Sequence, residues 1–415
     1  MSSLKEQFQV TGRYKTWSLA LMGIGVVAVL AGYFMYGTGD EHQNARFWGT
    51  MLQNSLFFLM ICNAAMFFIC ATTLAMAGFT MTFRRVMEAI SAAVIPLGVI
   101  ALVVLLTLVL GKHDNVYEWL KPADKIIKGK SIFLNPTFFV IWTTLTIGLW
   151  IVLGYKMRQL SRELDENPLP NAAEGKKYIF KNTIWASLYI VWFALTVAST
   201  APWLWLMSLD AHWYSTMYSW YTFASTFVSG LSLIALYIIY LKNKGYLELV
   251  TEEHLHDMGK FMFAFSIFWT YLWFSQYMLI WYSNQPEETI YFKDRIGNAE
   301  HSNGFHGIFF LNLILNFIAP ILILMRRGSK RNYTTMAFMA FVIIFGHWLD
   351  FYQMVFPKLT KDADGFTHVH MNLFDFGVAA GFVGLIMFST ARALAKAPLL
   401  AKNHPFYKES IIHHT

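Results

Sequence analysis

Cysteine is almost absent from this chain of 415 residues, which contains only Cys62 and Cys70. The two lie eight residues apart in one apolar stretch, so the sequence has neither a CxxCH haem attachment site nor a cysteine cluster for an iron–sulfur centre. Glycine-rich phosphate loops and HExxH zinc signatures are also missing. A b-type cytochrome needs histidine pairs at two depths, whereas only His347 lies deep in an apolar stretch. The sequence therefore predicts no metal site and no cofactor bound by this chain.

Charge is scarce as well, because charged residues make up 14% of the chain and hydrophobic residues 56%. The hydrophobic residues form ten stretches that each reach the ~17–25 residues a helix needs to cross a bilayer. Lipid offers no partners to backbone N–H and C=O groups, so such stretches must be helices. The ten predicted spans are Trp17–Tyr36, Trp48–Ala77, Val86–Leu110, Leu134–Tyr155, Tyr178–Ala201, Met217–Leu241, Lys260–Trp281, Gly304–Met325, Tyr333–Phe356 and Met371–Thr390. The prediction is an all-α integral membrane protein, with residues 1–415 forming one polytopic domain.

Basic residues are distributed unevenly between the loops. Segments rich in Lys and Arg alternate with poorer ones, and both ends of the chain are rich. The positive-inside rule then predicts that both termini lie in the cytoplasm. The outer loop Lys112–Lys130 runs against this pattern with five lysines, although three acidic residues lie among them. The net charge of +7 is therefore interpreted as a topology signal, and no nucleic acid is predicted as a partner.

A weak internal repeat relates the second to fifth spans to the sixth to ninth. Phe47–Met51 (FWGTM) at the start of the second span resembles Trp213–Met217 (WYSTM) at the start of the sixth. Asn135–Pro136 and Asn303–Gly304 precede the fourth and eighth spans in the same way. Chance similarity is the alternative explanation. The repeat predicts two four-helix bundles of equal orientation, residues 47–200 and 213–357, with the first and tenth spans peripheral.

Two segments carry a resemblance to a known family. They are Pro202–Met217 (PWLWLMSLDAHWYSTM) and His256–Glu288 (HDMGKFMFAFSIFWTYLWFSQYMLIWYSNQPEE). With the ten spans and the doubled bundle, they resemble the NrfD/polysulfide-reductase membrane-subunit superfamily, and within it the ActF-type subunits of alternative complex III. The resemblance covers most of the chain.

This resemblance implies a subunit of a bacterial respiratory complex in the inner (cytoplasmic) membrane. Such a complex oxidises a quinol such as menaquinol and reduces cytochrome c or another acceptor. The implied partners are a homologous NrfD-like membrane subunit, periplasmic subunits that carry haem c and iron–sulfur clusters, lipids and a terminal oxidase. The chain itself would contribute a scaffold and a proton path.

Four titratable residues in the outer half of the bundle are the candidates for that path. His347 and Asp350 stand three apart in the ninth span and so share a helix face. Asp375 enters from the outer end of the tenth span and His306 from the outer end of the eighth. Imidazole and a desolvated carboxylate can both titrate near neutrality, which suits a proton relay. The alternative is a structural tie, in which Asp350 is neutralised by His347 or joins helices by hydrogen bonds.

Aromatic stripes offer a candidate quinone contact. Trp192 lies on a stripe of the fifth span, and Trp273 and Gln276 lie on a stripe of the seventh. Aromatic rings could stack on a quinone while Gln276 donates to a carbonyl oxygen. Helix packing or a lipid belt is the more common use of such stripes.

The outer loop Pro202–Thr216 is the candidate docking surface for a periplasmic partner, because tryptophan is a frequent anchor at interfaces. Its candidate contacts are Trp203, Asp210, His212 and Trp213. An interfacial aromatic belt is the alternative.

Three functions therefore stay open. The first is a non-haem membrane subunit that provides scaffold and proton path. The second is a quinol-binding catalytic subunit, and the third is a secondary transporter. Pro96 and Pro320 interrupt the third and eighth spans, which are not equivalent in the repeat, and this weakens the transporter hypothesis.

Overall fold

The computed structural model describes residues 5–297, 302–362 and 364–414. Within these ranges the regular secondary structure is helical, and the chain forms isolated bridges at Gly297–Ser302 and Lys361–Thr367 but no strand. The expectation of an all-α protein is confirmed.

Ten long helices follow one another along the described chain, and each overlaps one of the predicted stretches in position. They are α1 Gly12–Gly37, α2 Glu41–Leu74, α3 Arg84–Leu110, α4 Pro136–Glu166, α5 Ala172–Leu209, α6 Met217–Asn243, α7 Glu252–Ser283, α8 His306–Leu324, α9 Tyr333–Leu359 and α10 Leu373–Leu394. Within the described ranges, all of these except α7 are both long and apolar enough to cross a membrane. The chain is thus a multi-pass membrane protein.

Helix α7 is long enough to span but less apolar than the others. Its 32 residues include several tryptophans and tyrosines together with Gln276, and these side chains lower its mean hydropathy. A carboxamide or an indole is polar at one end only, so a bundle can bury Gln and Trp side chains when their N–H groups find hydrogen-bond partners.

Capping residues determine where several helices begin. The side chain of Asp40 accepts a 2.9 Å bond from Gln43 N, which places the start of α2 seven residues before the predicted Trp48. Asn135 and Asn332 cap α4 and α9 in the same way. Hydropathy alone does not show the start of α2, since its first turns are polar and precede the apolar stretch.

The helices pack around a centre formed by α2, α6 and α9. Helix α2 packs against α3 and α5, and α4 packs against the same two helices. Helix α6 packs against α7 and α9, and α8 packs against the same two. Contacts of α2 with α6 and with α9 join these two groups.

Helices α1 and α10 form a closely packed pair at the side of the bundle. A Cβ atom on Gly25 would lie 2.3 Å from the Cα of Gly381, so the two backbones approach closer than any side chain allows. Small residues at such crossings let helices gain van der Waals contact in a membrane, where the hydrophobic effect does not drive association. Glycine at both positions is what permits this pairing.

The two ends of the chain meet at one end of the bundle. Leu399 N donates to Glu6 O at 2.7 Å, and Gln7 Nε2 donates to Ala395 O at 3.1 Å. At the opposite end, Asn372 Nδ2 donates to the Tyr36 hydroxyl at 2.9 Å, where α1 ends and α10 begins. We refer to these as the terminal end and, after the topology predicted from the basic loops, the outer end of the bundle.

Buried ion pairs join helices at the terminal end. Glu88 of α3 accepts from Arg84 Nε at 3.1 Å and from Arg85 Nη1 at 2.8 Å, and Arg85 also pairs with Asp165 of α4. These charges share several partners, which offsets the cost of burying them.

The C-terminal tail packs over this end. The ring nitrogen Nδ1 of His404 accepts from Phe406 N at 3.2 Å. Burial, aided by repulsion from Arg84 and Arg85, lowers the pKa of His404 to about 3. The tail therefore docks with this imidazole neutral.

Candidate functional site

His347 and Asp350 lie together in the interior, on the face of α9 that meets α6 and α7. Both side chains are fully buried, and His347 Nδ1 lies 3.8 Å from Asp350 Oδ2. The predicted sharing of one helix face is thus what the structure shows for these two residues.

Neutral donors surround the carboxylate of Asp350. The Tyr221 hydroxyl of α6 donates to Oδ1, and the Trp269 indole N–H of α7 donates to Oδ2 at 3.1 Å. His347 completes the group, since its Nδ1 lies 3.0 Å from the Ser225 hydroxyl. Tyr221 and Ser225 are four residues apart and therefore present both hydroxyls on one face of α6. Three helices thus contribute to one polar cluster in an apolar surrounding.

A small cavity of about 10 Å³ adjoins Asp350. Its wall includes Trp273 and Gln276 of α7 and Arg295 of the segment that follows α7. A cavity of ~10–15 Å³ holds about one water molecule. The predicted proton-path residue Asp350 and the predicted quinone contacts Trp273 and Gln276 therefore line the same space, which has no room for a quinone ring.

Arg295 extends the cluster toward the outer end. It is buried, donates to Gln353 O at 2.9 Å and to Tyr291 O at 2.7 Å, and lies over the Tyr291 ring at 3.4 Å. The Gln353 side chain in turn accepts from Asn312 Nδ2 of α8 at 2.6 Å. These amide and guanidinium groups continue the polar lining away from Asp350 toward the outer loops.

Polar side chains also lie on the other side of His347. Among the described residues, His347 Nε2 and both side-chain polar atoms of Asn316 have no hydrogen-bond partner. Asn316 lies against Gly346, where a Cβ atom would be 2.2 Å from its Oδ1. Because Gly346 has no side chain, the buried amide of Asn316 fits against it, beside the helical turn that carries His347.

Asp375 belongs to a different arrangement. It accepts from the Thr50 hydroxyl at 2.7 Å and from Asn372 N at 2.9 Å, and it lies 3.4 Å from Arg46 Nη2. The bond from Asn372 N completes the capping box that begins α10. Asp375 thus ties α10 to α2 at the outer end, and its hydrogen bonds and ion pair do not include His347 or Asp350.

His306 stands apart from these residues. It is exposed at the start of α8, and its Nδ1 lies 3.1 Å from Ile296 O. It makes no hydrogen bond to His347, Asp350 or Asp375 in the described part of the chain. The four candidate residues thus form one His–Asp pair, one capping carboxylate and one surface histidine in the described part of the chain.

Trp192 also lies away from the cavity. Its ring packs 5.6 Å from that of Trp142 on α4, and its indole N–H donates to Thr146 O at 3.4 Å. Trp192 is not part of the wall that Trp273 and Gln276 share with Asp350.

The predicted loop Pro202–Thr216 begins within α5, which ends at Leu209, and it turns two of its tryptophans inward. Trp213 is 4% exposed and stacks on Tyr291 at 4.3 Å, and Trp205 is buried with its N–H bonded to Thr143 Oγ1. Trp203 is partly buried, whereas Tyr214 is 64% exposed. Trp213 is therefore a packing residue in this structure, and the ring that faces outward is Tyr214.

The charged residues of this loop pair with neighbouring loops. His212 Nε2 lies 3.4 Å from Asp124, and Asp210 lies 3.9 Å from Lys358 at the end of α9. Lys130 donates to Ala211 O at 2.6 Å, and its burial lowers the pKa of its ammonium group. Docking of a partner at this loop stays a prediction, carried by Asp210, His212 and Trp203 rather than by Trp213.

Sequence reasoning missed the residues that complete the Asp350 cluster. No motif marks Tyr221, Trp269 or Arg295. Aromatic residues are so frequent in this chain that Tyr221 and Trp269 are not distinguished by their type. The spacing of Tyr221 and Ser225 on α6 was the one available signal, because it puts two hydroxyls on one helix face.

Comparison with known proteins does not assign the chain to a family. No protein-family model matches the chain, and no curated protein matches it. Among the described residues, no group of three or more His, Cys, Asp or Glu side chains is placed to hold a metal ion.

Proposed function

We propose that this chain is a membrane subunit of a quinol-oxidising respiratory complex, of the ActF type in alternative complex III. In this proposal it serves as scaffold and carries protons through the cluster around Asp350. It has the partners that the sequence resemblance implies: a second NrfD-like membrane subunit and periplasmic subunits with haem c and iron–sulfur clusters. The observation that carries the proton role is a buried carboxylate held by neutral donors only.

The bundle architecture supports the first part of the proposal. Glu6 and Leu399 meet at the terminal end, which supports an even number of crossings between these two residues. The nine apolar helices of the described chain, together with the 32 residues of α7, support ten crossings. The packing of α2 to α5 and of α6 to α9 supports two adjacent four-helix bundles, with α1 and α10 at the side. The basic loops then assign the terminal end to the cytoplasm.

The chemistry of the cluster supports the second part. An ionised carboxylate in the membrane interior is costly unless it is paired, and Asp350 has a histidine at 3.8 Å but no Lys or Arg within ion-pair distance among the described residues. Tyr221, Ser225 and His347 each carry a group that can both donate and accept a hydrogen bond. A proton that enters this cluster can therefore rest on Asp350 as a neutral acid, or on His347 as an imidazolium whose Nδ1 lies 3.8 Å from the carboxylate.

Direct quinol oxidation is the second candidate function. Gln276 supports it to a limited degree, because its Nε2 is buried without a partner among the described residues and faces the cavity beside Asp350. The cavity holds only about one water, however, so a quinone ring would have to displace Trp273 or Gln276. We therefore favour the proton role for this chain.

Replacing Asp350 by Asn tests the proposal. The amide keeps the volume of the side chain but cannot release a proton at neutral pH. The complex should assemble, while quinol oxidation or proton release into liposomes should fall by at least tenfold. Asp350→Glu should restore part of the activity. The matched control is Asp362→Asn, the same change at an exposed loop residue, which should leave both rates unchanged. Normal rates in Asp350→Asn would show that this residue only joins helices.

A further inference from the structure

A large apolar groove separates the α1–α10 pair from the central helices. It encloses about 600 Å³ between α1 and α10 on one side and α2, α6 and α9 on the other. An apolar cavity of ~150 Å³ holds one six-carbon benzene molecule, so this groove has room for roughly 24 carbon atoms. That capacity is sufficient for a complete acyl chain.

The groove has the length of one bilayer leaflet. Its wall on α10 runs from Phe376 to Met387, and its wall on α6 runs from Leu233 to Lys244. At 1.5 Å per residue each wall is roughly 16 Å long. The hydrocarbon core of a membrane is about 30 Å thick, so one leaflet contributes about 15 Å.

The two ends of the groove differ in polarity. Deep in the bundle its wall is formed by rings, including those of Phe57, Trp348 and Phe376. Near the terminal end it is lined by Tyr14 and Tyr240, and the Tyr14 hydroxyl donates to Met387 O at 3.2 Å. A molecule that fits must be apolar at one end and polar at the other.

Cations occupy the polar mouth. Arg13 and Lys244 are the charged residues of the groove wall, both are exposed, and neither forms an ion pair with a carboxylate in the described part of the chain. Lys5 lies beside the Lys244 end of the mouth, since its Nζ would be 3.6 Å from a Cβ atom on Gly245. Basic residues at the mouth of a cleft between helices complement a phosphate headgroup.

We propose that this groove is a binding site for one anionic phospholipid. Its phosphate contacts Arg13 and Lys244, and one acyl chain lies along α10 toward Phe376. The lipid fills the space between the α1–α10 pair and the central helices, beside the contacts of Tyr14 of α1 with Tyr237 and Tyr240 of α6. An isoprenoid quinone is the competing occupant, and the test separates the two.

Native mass spectrometry of the purified full-length chain, with any subunits that co-purify, measures this binding. Equal concentrations of palmitoyl-oleoyl phosphatidylglycerol, phosphatidylcholine of the same acyl composition, and menaquinone are added. We expect retention of phosphatidylglycerol at least tenfold above phosphatidylcholine. The Arg13→Gln/Lys244→Gln double variant should reduce it to the phosphatidylcholine level. Lys15→Gln, an exposed cation on the same helix outside the groove wall, should leave it unchanged.

A second variant tests the acyl chain site independently of charge. Ala379 lies in the groove wall, so Ala379→Phe should fill the space and reduce retention of both phospholipids while circular dichroism stays that of the wild type. Equal retention of the two phospholipids by the wild type would overturn the proposal. Undiminished retention of phosphatidylglycerol by the double variant, or its displacement by menaquinone, would overturn it as well.

Discussion

Replacing Asp375 by Asn tests whether this carboxylate holds helices together or carries protons. Asp375 accepts from Thr50 and from Asn372 N, and it pairs with Arg46. All three contacts stabilise an ionised carboxylate that stays in place. These partners lie on α2 and at the start of α10, so Asp375 joins the two helices. We therefore expect Asp375→Asn to affect stability rather than proton movement.

The structure sets the expected magnitude. Asn can still accept one of the hydrogen bonds, but it loses the ion pair with Arg46, whose side chain is 12% exposed and keeps a bond to His370 O. A hydrogen bond to a charged group contributes about 1.5–3 kcal/mol, and a helix cap about 1 kcal/mol. The free energy of unfolding should fall by about 2–4 kcal/mol.

Unfolding by dodecyl sulfate in mixed micelles, followed by circular dichroism, measures this loss. Thr50→Val removes one donor at nearly constant volume, and its effect should be less than additive with Asp375→Asn because the two residues share a bond. Asp362→Asn in the exposed outer loop should change the free energy by less than about 0.5 kcal/mol. A stable Asp375→Asn protein with reduced proton release would refute the structural role.

Two further changes probe the helix pair and the tail. Gly381→Val should weaken α1–α10 packing by about 1–3 kcal/mol, because its Cβ would lie 2.6 Å from Gly25 Cα, whereas Gly23→Val meets nothing within 4 Å and should be neutral in the same unfolding assay. Acidification should release the C-terminal tail, because the pKa of His404 is about 3 when docked and 6.5 when free. Docking is therefore complete above pH 6.5 and weakens as the pH falls toward 3, by up to about 1.4 kcal/mol per pH unit. A spin label on the tail should gain mobility over this interval, and His404→Gln should abolish the dependence; unchanged mobility in the wild type would contradict it.

Hydropathy was sufficient to predict where the long helices lie, because a membrane span needs both length and apolar composition. Helix α7 is predicted only when aromatic residues are counted as apolar. Its tryptophans and tyrosines make it less apolar than the other long helices, yet it runs for 32 residues. The shared face of His347 and Asp350 followed from helix geometry. These features depend on neighbours along the chain, which a sequence displays directly.

The other residues of the Asp350 cluster could not be predicted, because their contacts depend on which faces of different helices meet. Tyr221 and Trp269 bond to Asp350 from helices that precede it by 129 and 81 residues. Nothing local distinguishes them from other aromatic residues. The position of Trp213 could not be predicted for the same reason. The sequence favours a surface anchor in an outer loop, but in the structure Trp213 stacks on Tyr291 from the segment after α7.

Infrared difference spectroscopy of the intact complex tests the proton role of Asp350 most directly. The difference between the oxidised and quinol-reduced states should contain a carboxylic acid C=O band that shifts in deuterated water. We predict that Asp350→Asn removes this band, whereas Asp375→Asn leaves it in place. A band that persists in Asp350→Asn, or the absence of any carboxylic acid band in the wild type, would contradict the claim that Asp350 gains and loses a proton during turnover.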